Sequence, residues 1–276
     1  MTTEALMQAA SEVATLAGAI AHQHFRTALT VEHKADGSEV TIADRAAEQA
    51  ARDWLEKHFP RDGIVGEEFG NSAPDARRKW VIDPIDGTKS FVKGVPLWGT
   101  LVAVMEDDQV LASACDFAAA GEHLAAGLGC GAWWNGRRAR VSDVDSLARA
   151  TLLCTDAAFT DRPDRGARWR GLQAGGAIMR SWGDCFGYLM VATGRAELMT
   201  DSRLNLWDAA AVQLPVAEAG GVFTDWRGVA TIRGAGAIAT NAALAKVLRE
   251  KLLDAPVSGA QATHAAGPDG RPEAGS

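Results

Sequence analysis

The stretch WVIDPIDGTKSF, residues 80–91, runs an apolar strand into two aspartates three residues apart, with a proline between them and Gly87-Thr88 directly behind. Pro84 fixes its own φ and pushes Asp83 toward an extended conformation, so the chain turns sharply where the strand runs out. Such a turn can aim Asp83 and Asp86 at one point and leave the Ile85 carbonyl facing the same way. Packed carboxylates repel, and burying them uncompensated is costly, so a cation is the natural resolution. Oxygen-only ligands with no nearby Cys or His select a hard ion, Mg²⁺ before Mn²⁺ or Ca²⁺. Taken alone, D-x-x-D also fits a solvated acidic turn.

Gly87-Thr88 shifts the balance. A glycine and a threonine at the head of a short helix leave free backbone N–H groups, where phosphate binds readily. Metal carboxylates beside an anion cradle suggest phosphoryl chemistry, with two metals stabilising the attacking and leaving oxygens. Two further acidic positions belong to the same reading. Glu67 closes the strand GIVG, and Asp208 in LNLWDAAA stands at the start of a helix, where N-capping is its bland role.

Outward from this stretch, residues 3–29 show helical spacing, with Leu6, Ala9, Val13, Leu16 and Ile20 on one side. A turn at Asp36-Gly37 follows, and Asp44 is placed as the N-cap of a second helix that faces Ala47, Ala51, Trp54 and Leu55 inward. GIVG, KWVIDPI and a hairpin turning at Asp107-Asp108 read as strands, and a further hairpin turns at Asn135-Gly136. From about residue 146 strands alternate with helices expected near 164–174, 184–194, 206–219 and 241–253. The pattern predicts a layered α+β/α-β architecture. Its divisions are a sub-domain over 1–145 with the metal and phosphate site, a second over 146–254 with Asp208, and a disordered Gly/Ala/Pro-rich tail over 255–276.

The chain has 276 residues, 47% hydrophobic and 23% charged, with a net charge of −7. That length allows a substantial core, and the charge, with no Lys/Arg-rich run, argues against nucleic acid or an anionic membrane as partner. No apolar stretch approaches the roughly 20 residues that span a bilayer, and the N-terminus reads as an amphipathic helix rather than a signal peptide. The four cysteines lie far apart without a C-x-x-C pair, so neither zinc nor a disulfide framework is expected. Free thiols in a reducing cytoplasm follow.

GEE at 66–68, WVIDPIDGTKSF at 80–91 and LWDAAAVQLPVAEAGG at 206–221 together resemble the three signatures of the inositol monophosphatase family, and DGSEVTIADRAAE at 36–48 resembles its N-terminal stretch. The resemblance covers residues 3 to about 250. It implies a two-sub-domain sugar-phosphatase fold and a Mg²⁺-dependent phosphomonoesterase, with two or three ions per site and Mn²⁺ as a substitute. It implies that Glu67, Asp83, the Ile85 carbonyl and Thr88 surround one ion, and that Asp83, Asp86 and Asp208 hold a second. Asp44 would orient water, Thr88 with Glu67 would polarise the nucleophilic one, and the Gly87 and Thr88 amides would bind phosphate. No Ser, Cys or His stands in a nucleophile motif, which fits direct attack by water.

Residues 180–201, RSWGDCFGYLMVATGRAELMTD, and FTDWRG at 223–228 look like the histidinol-phosphate phosphatase branch, with Asp184 and Asp201 as substrate-facing residues. The resemblance therefore implies a soluble, cytoplasmic enzyme of histidine synthesis acting on a small phosphate monoester, commonly as a homodimer. Inositol-1-phosphate hydrolysis, a broader small-molecule phosphatase and a regulatory protein on the same fold are the alternatives. One departure follows Cys115-Asp116, where the family's proline is missing and the run reads FAAAGEHLAAGLGCGAWWNG. It alters a loop and no metal ligand.

Overall fold

The computed structural model describes residues 1–34, 37–159 and 161–254. The Asp36 half of the expected turn and the tail from residue 255 lie outside the described residues. Helix α1 (Thr3–His24) is capped by Thr2, whose hydroxyl accepts from the Ala5 N–H. Its buried face is carried by Leu6 and Val13 with Ala10, Ala14, Ala17 and Ala21, while Leu16 is exposed, contrary to the expected stripe. The helix stops at His24, short of residue 29, because Phe25 turns extended and Arg26 takes a φ of 60°. That exit carries the Phe25 ring to 5.6 Å from both Phe91 and Trp98.

The hairpin of β1 (Glu32–His33) and β2 (Glu39–Val40) leads into α2 (Ile42–His58). Asp44 does not occupy the N-cap: Thr41 does, and Asp44 stands three residues on, its carboxylate reaching back to the Thr41 N–H at 2.7 Å. This is the reciprocal capping box, in which the third helical residue satisfies the cap's own amide.

An eight-stranded sheet follows. It is built from β3 (Gly63–Gly66), β4 (Gly70–Ser72) and β5 (Arg78–Asp86) before the short α3 (Thr88–Val92), and from β6 (Gly99–Glu106), β7 (Gln109–Phe117), β8 (Glu122–Gly127), β9 (Gly131–Trp134) and β10 (Arg137–Arg138) after it. Its order is β10-β9-β8-β7-β6-β5-β3-β4, antiparallel except where β3 runs parallel to β5. The β9–β10 turn has Asn135 and Gly136 at φ 46° and 73°, the left-handed pair that a two-residue hairpin requires.

The second half forms a five-stranded sheet. Its elements are β11 (Thr151–Cys154), α4 (Pro163–Leu172), β12 (Ile178–Arg180), α5 (Asp184–Ala192), β13 (Leu198–Asp201), α6 (Leu206–Glu218), β14 (Val222–Thr224), β15 (Ala237–Thr240) and α7 (Ala245–Leu252), in strand order β12-β11-β13-β15-β14. The last helix begins at Ala245 rather than 241, because the Asn241 side chain accepts the Leu244 N–H and holds the preceding turn.

Strand alternation sorts the apolar side chains into layers. On β6, Val102 and Val104 join α1 and α2 in one core, while Leu101, Ala103 and Met105 face α5 and α6 in another. On the second sheet Met199 and Ala239 face the same α5/α6 layer, and Leu198 and Ile238 face away, toward Trp169 of α4 and Leu248 of α7. Helix, sheet, helix, sheet and helix are therefore stacked in five layers, and α5 and α6 are shared between the two sheets. The carboxyl ends of β3, β5 and β13 and the amino ends of α2, α5 and α6 carry the acidic residues singled out from the sequence.

Candidate active site

Parallel pairing places Gly66 of β3 opposite Ile82 of β5, so Glu67 leaves its strand beside Asp83, with its N–H donating to the Ile82 carbonyl at 3.2 Å. The β5–β6 ladder slips between Asp83 and Asp86 at Pro84, and the Pro84 carbonyl is held by Thr100 Oγ1 at 2.8 Å. Asp83 Oδ1 accepts the Ile85 N–H, and Thr88 Oγ1 donates to the Ile85 carbonyl at 3.0 Å. From the second half, Asn205 caps α6 and Asp208 closes the capping box through Oδ2, taking the Asn205 N–H at 2.8 Å. Asp208 is thus at the third helical position, not the cap. The result is a trio in which oxygens of Asp83, Asp86 and Asp208 all lie within 4.8 Å of one another.

The electrostatics of the trio are those of a group that could hold a cation. Burial, and then the charges of Glu67, Asp208 and Asp86, push the Asp83 carboxyl far up. Burial and Asp208 raise Asp86 to about 8, against the opposing Cys185 N–H. Burial also raises Asp208 to about 7, although a side-chain hydrogen bond with Asp83 and the Asn205 amide oppose it. Three acidic groups gathered this tightly share protons unless a positive ion neutralises them. The donor set is oxygen throughout, which fits Mg²⁺ or Mn²⁺ and no soft metal. Glu67, the Ile85 carbonyl and Thr88 border the same group.

Gly87 lies beside this trio at φ 85°, the left-handed region, and a Cβ there would meet the Leu97 carbonyl at 2.8 Å. Only glycine fits a backbone that must come so close. A cavity of about 580 Å³ opens here, lined from the first half by Glu39, Glu67, Gly87 and Thr88 and from the second by Thr155, Ser181, Asp184 and Arg203. Asp184 begins α5 at φ 49°, with its N–H donating to Thr155 Oγ1 at 2.7 Å. Burial and the nearby Asp86 raise its carboxyl to about 7, with Lys89 opposing.

Two expected site residues sit further back. Asp201 ends β13 but is only 6% exposed; Tyr188 Oη donates to its carboxylate at 2.9 Å, and Thr155, which lines the cavity, also bonds to it. Asp44 is 2% exposed, with Oδ2 engaged by Thr41; burial raises its carboxyl, the hydrogen bonds from Thr41 oppose that rise, and the charge of Glu67 adds to it.

The sequence reading missed the support around Glu67. Lys34 donates to Glu67 at 2.8 Å and to Glu68 at 2.7 Å. Behind them Glu48, paired with Arg52 one helical turn on, accepts the Glu68 and Phe69 amides and fixes the loop. The i,i+4 Glu-Arg pair on an otherwise apolar helix face was the available signal.

With this geometry in place, known proteins give it a lineage. The model of the inositol monophosphatase family matches residues 2–257. The chain belongs to the inositol monophosphatase family. Among curated relatives within it, histidinol-phosphatase of Chlorobaculum parvum is 38% identical over 88% of this chain and 94% of its own. Histidinol-phosphatase of Mycobacterium tuberculosis is 38% identical over 78% of this chain and 85% of its own. Among solved family structures, the extragenic suppressor protein suhB of Bartonella henselae superimposes with a TM-score of 0.84 at 28% identity, covering 90% of this chain and 98% of that one. An inositol monophosphatase of Zymomonas mobilis gives 0.81 at 31%, over 91% and 99%. The expected layered fold and family membership both hold. Among the described residues no helix is long and apolar enough to cross a membrane.

Proposed function

We propose that this protein is a Mg²⁺-dependent phosphomonoesterase that hydrolyses L-histidinol phosphate to L-histidinol and phosphate. The observation that carries the chemistry is the oxygen-only trio Asp83, Asp86 and Asp208 set directly beside the left-handed Gly87. The 38% identity to histidinol-phosphatases over most of the chain supports this substrate within the family.

In this reading Glu67, Asp83, the Ile85 carbonyl, Asp86 and Asp208 hold the ions, with Thr88 completing the set. Bound Mg²⁺ supplies positive charge to the phosphoryl oxygens and lowers the pKa of water. The chain's own contributions are separable. The Gly87 and Thr88 amides hold the phosphate in place, the close backbone approach being possible because residue 87 has no Cβ. Glu67 and Thr88 would polarise the attacking water, and Asp44 would orient water held in the site. Asp184, in the cavity wall, faces the organic half of the substrate. Asp201 works through Thr155. The active unit is a cytoplasmic homodimer, as the family resemblance implies.

A phosphate-release panel tests the reading. L-histidinol phosphate should be turned over with the highest kcat/KM, ahead of inositol 1-phosphate, fructose bisphosphate and adenosine 3′,5′-bisphosphate, and chelation should abolish turnover of all four. Preference for inositol phosphate would overturn the substrate, and chelator-resistant turnover would overturn the metal site.

A further inference from the structure

Glu39 has no part in the machinery described so far. It lies on β2, whose register sets it opposite His33 in the hairpin. Val40, the next residue, is 3% exposed and turned into the protein, so strand alternation turns Glu39 the other way. That direction is the cavity, which Glu39 lines together with Asp184 from the opposite half of the chain. β2 also packs against α3, the helix that starts at the phosphate cradle. One of its carboxylate oxygens, Oε2, is buried and has no hydrogen-bond partner among the described residues.

A buried, unpartnered carboxylate oxygen on the wall of a substrate cavity calls for a donor from the substrate itself. A phosphate group cannot supply it, since two anions would be brought together. The hydroxyls of a neutral sugar or polyol would supply it weakly, and a protonated amine or imidazolium strongly, through a charge-assisted bond. We infer that Glu39 is a specificity-determining residue, which with Asp184 receives the cationic organic portion of the phosphomonoester between the two halves of the chain. This rests on the proposed phosphatase reaction and names a second recognition point for its substrate. Lys89 and Arg203, the exposed cations on the same cavity, lie at its rim, where they favour an approaching phosphate.

The test compares the full-length, Mg²⁺-loaded wild type with Glu39→Gln and Glu39→Asp. The substrates are L-histidinol phosphate, O-phosphoethanolamine as a simpler amine, and glycerol 2-phosphate as a neutral ester. In Glu39→Gln, KM for both amine substrates should rise about tenfold, the effect of losing one charge-assisted bond, with kcat little changed. KM for glycerol 2-phosphate, the melting temperature and Mg²⁺ affinity should stay where they are, and Glu39→Asp should recover part of the loss. Equal loss on amine and neutral esters, a drop in Mg²⁺ affinity, or no change on any substrate would each overturn the proposal. Failure of the wild type on L-histidinol phosphate alone would refute the assigned substrate; the phosphoethanolamine and glycerol phosphate pair would still decide the role of Glu39.

Discussion

Replacing Asp208 by Asn should stabilise the metal-free protein while removing its response to Mg²⁺. Asp208 is 8% exposed, and its carboxyl is raised from 3.8 to about 7, chiefly by burial. At 1.36 kcal/mol per pKa unit, that corresponds to about 4 kcal/mol of destabilisation when the group is ionised in the folded state. Asn keeps the shape, and its side-chain oxygen can still accept the Asn205 N–H that closes the capping box. A gain of about 2–4 kcal/mol should therefore appear as a melting temperature higher by roughly 5–10 °C for a chain of this size.

The pH dependence fixes the sign. The folded-state pKa lies above the unfolded one, so the folded protein binds the extra proton, and wild-type stability rises as pH falls from about 8 toward 4. The variant lacks this group and keeps Asp83 and Asp86. Its advantage should be full above pH 8, shrink through pH 7 and vanish near pH 4, in melts recorded with a chelator. Mg²⁺ at a thousandfold its Kd should cancel or reverse the order, since it adds about 4.1 kcal/mol to the wild type and little to a variant lacking one carboxylate. A variant that melts at or below wild type in chelator at pH 8.5, or one that Mg²⁺ stabilises equally, would refute the reasoning.

The other expectations follow from the same geometry. Asp184→Asn should raise KM for L-histidinol phosphate by about 10–100-fold, the range of one charge-assisted bond, whereas Asp201→Asn, behind Thr155, should raise it by less than about tenfold; steady-state kinetics decide, and the reverse order would place Asp201 in the cavity. Gly87→Ala should lower kcat/KM by at least about 100-fold and cost about 1–3 kcal/mol of stability, because the left-handed backbone and the Leu97 carbonyl both oppose a Cβ. Normal turnover by that variant would show that the cradle needs no close backbone approach.

Much of this was legible in the sequence because the deciding features are local. Pro84 dictates the turn between Asp83 and Asp86, and Asn135-Gly136 dictates a hairpin, with no help from distant residues. What needed the structure was long-range. That α5 and α6 serve both sheets follows from how apolar strand faces are apportioned, which the sequence pattern by itself does not express. Lys34 carried no signal in the sequence, because its pairing with Glu67 and Glu68 joins the first hairpin to the end of β3. The stripe on α1 was misjudged at Leu16, since close packing against β6 and β7 selects the small alanine face over the larger side chain.

Asp44 and Asp208 carry the most instructive point, because the sequence offered each of them both a helix-capping and a site role. Both stand at the third position of a helix, and both commit Oδ2 to the amide of the cap residue. That bond restrains the side chain and leaves Oδ1 outside the capping box. The Asp208 carboxylate belongs to the trio, and the Asp44 carboxyl feels the charge of Glu67. The structural role therefore supplies the rigidity that the functional role needs: a carboxylate anchored by one oxygen meets an ion with little further loss of side-chain freedom. The same logic explains why the acidic residues gather at helix starts. The positive end of the helix dipole favours the charge that the trio's own repulsion opposes, so α6 helps to keep Asp208 available as an anion when an ion arrives.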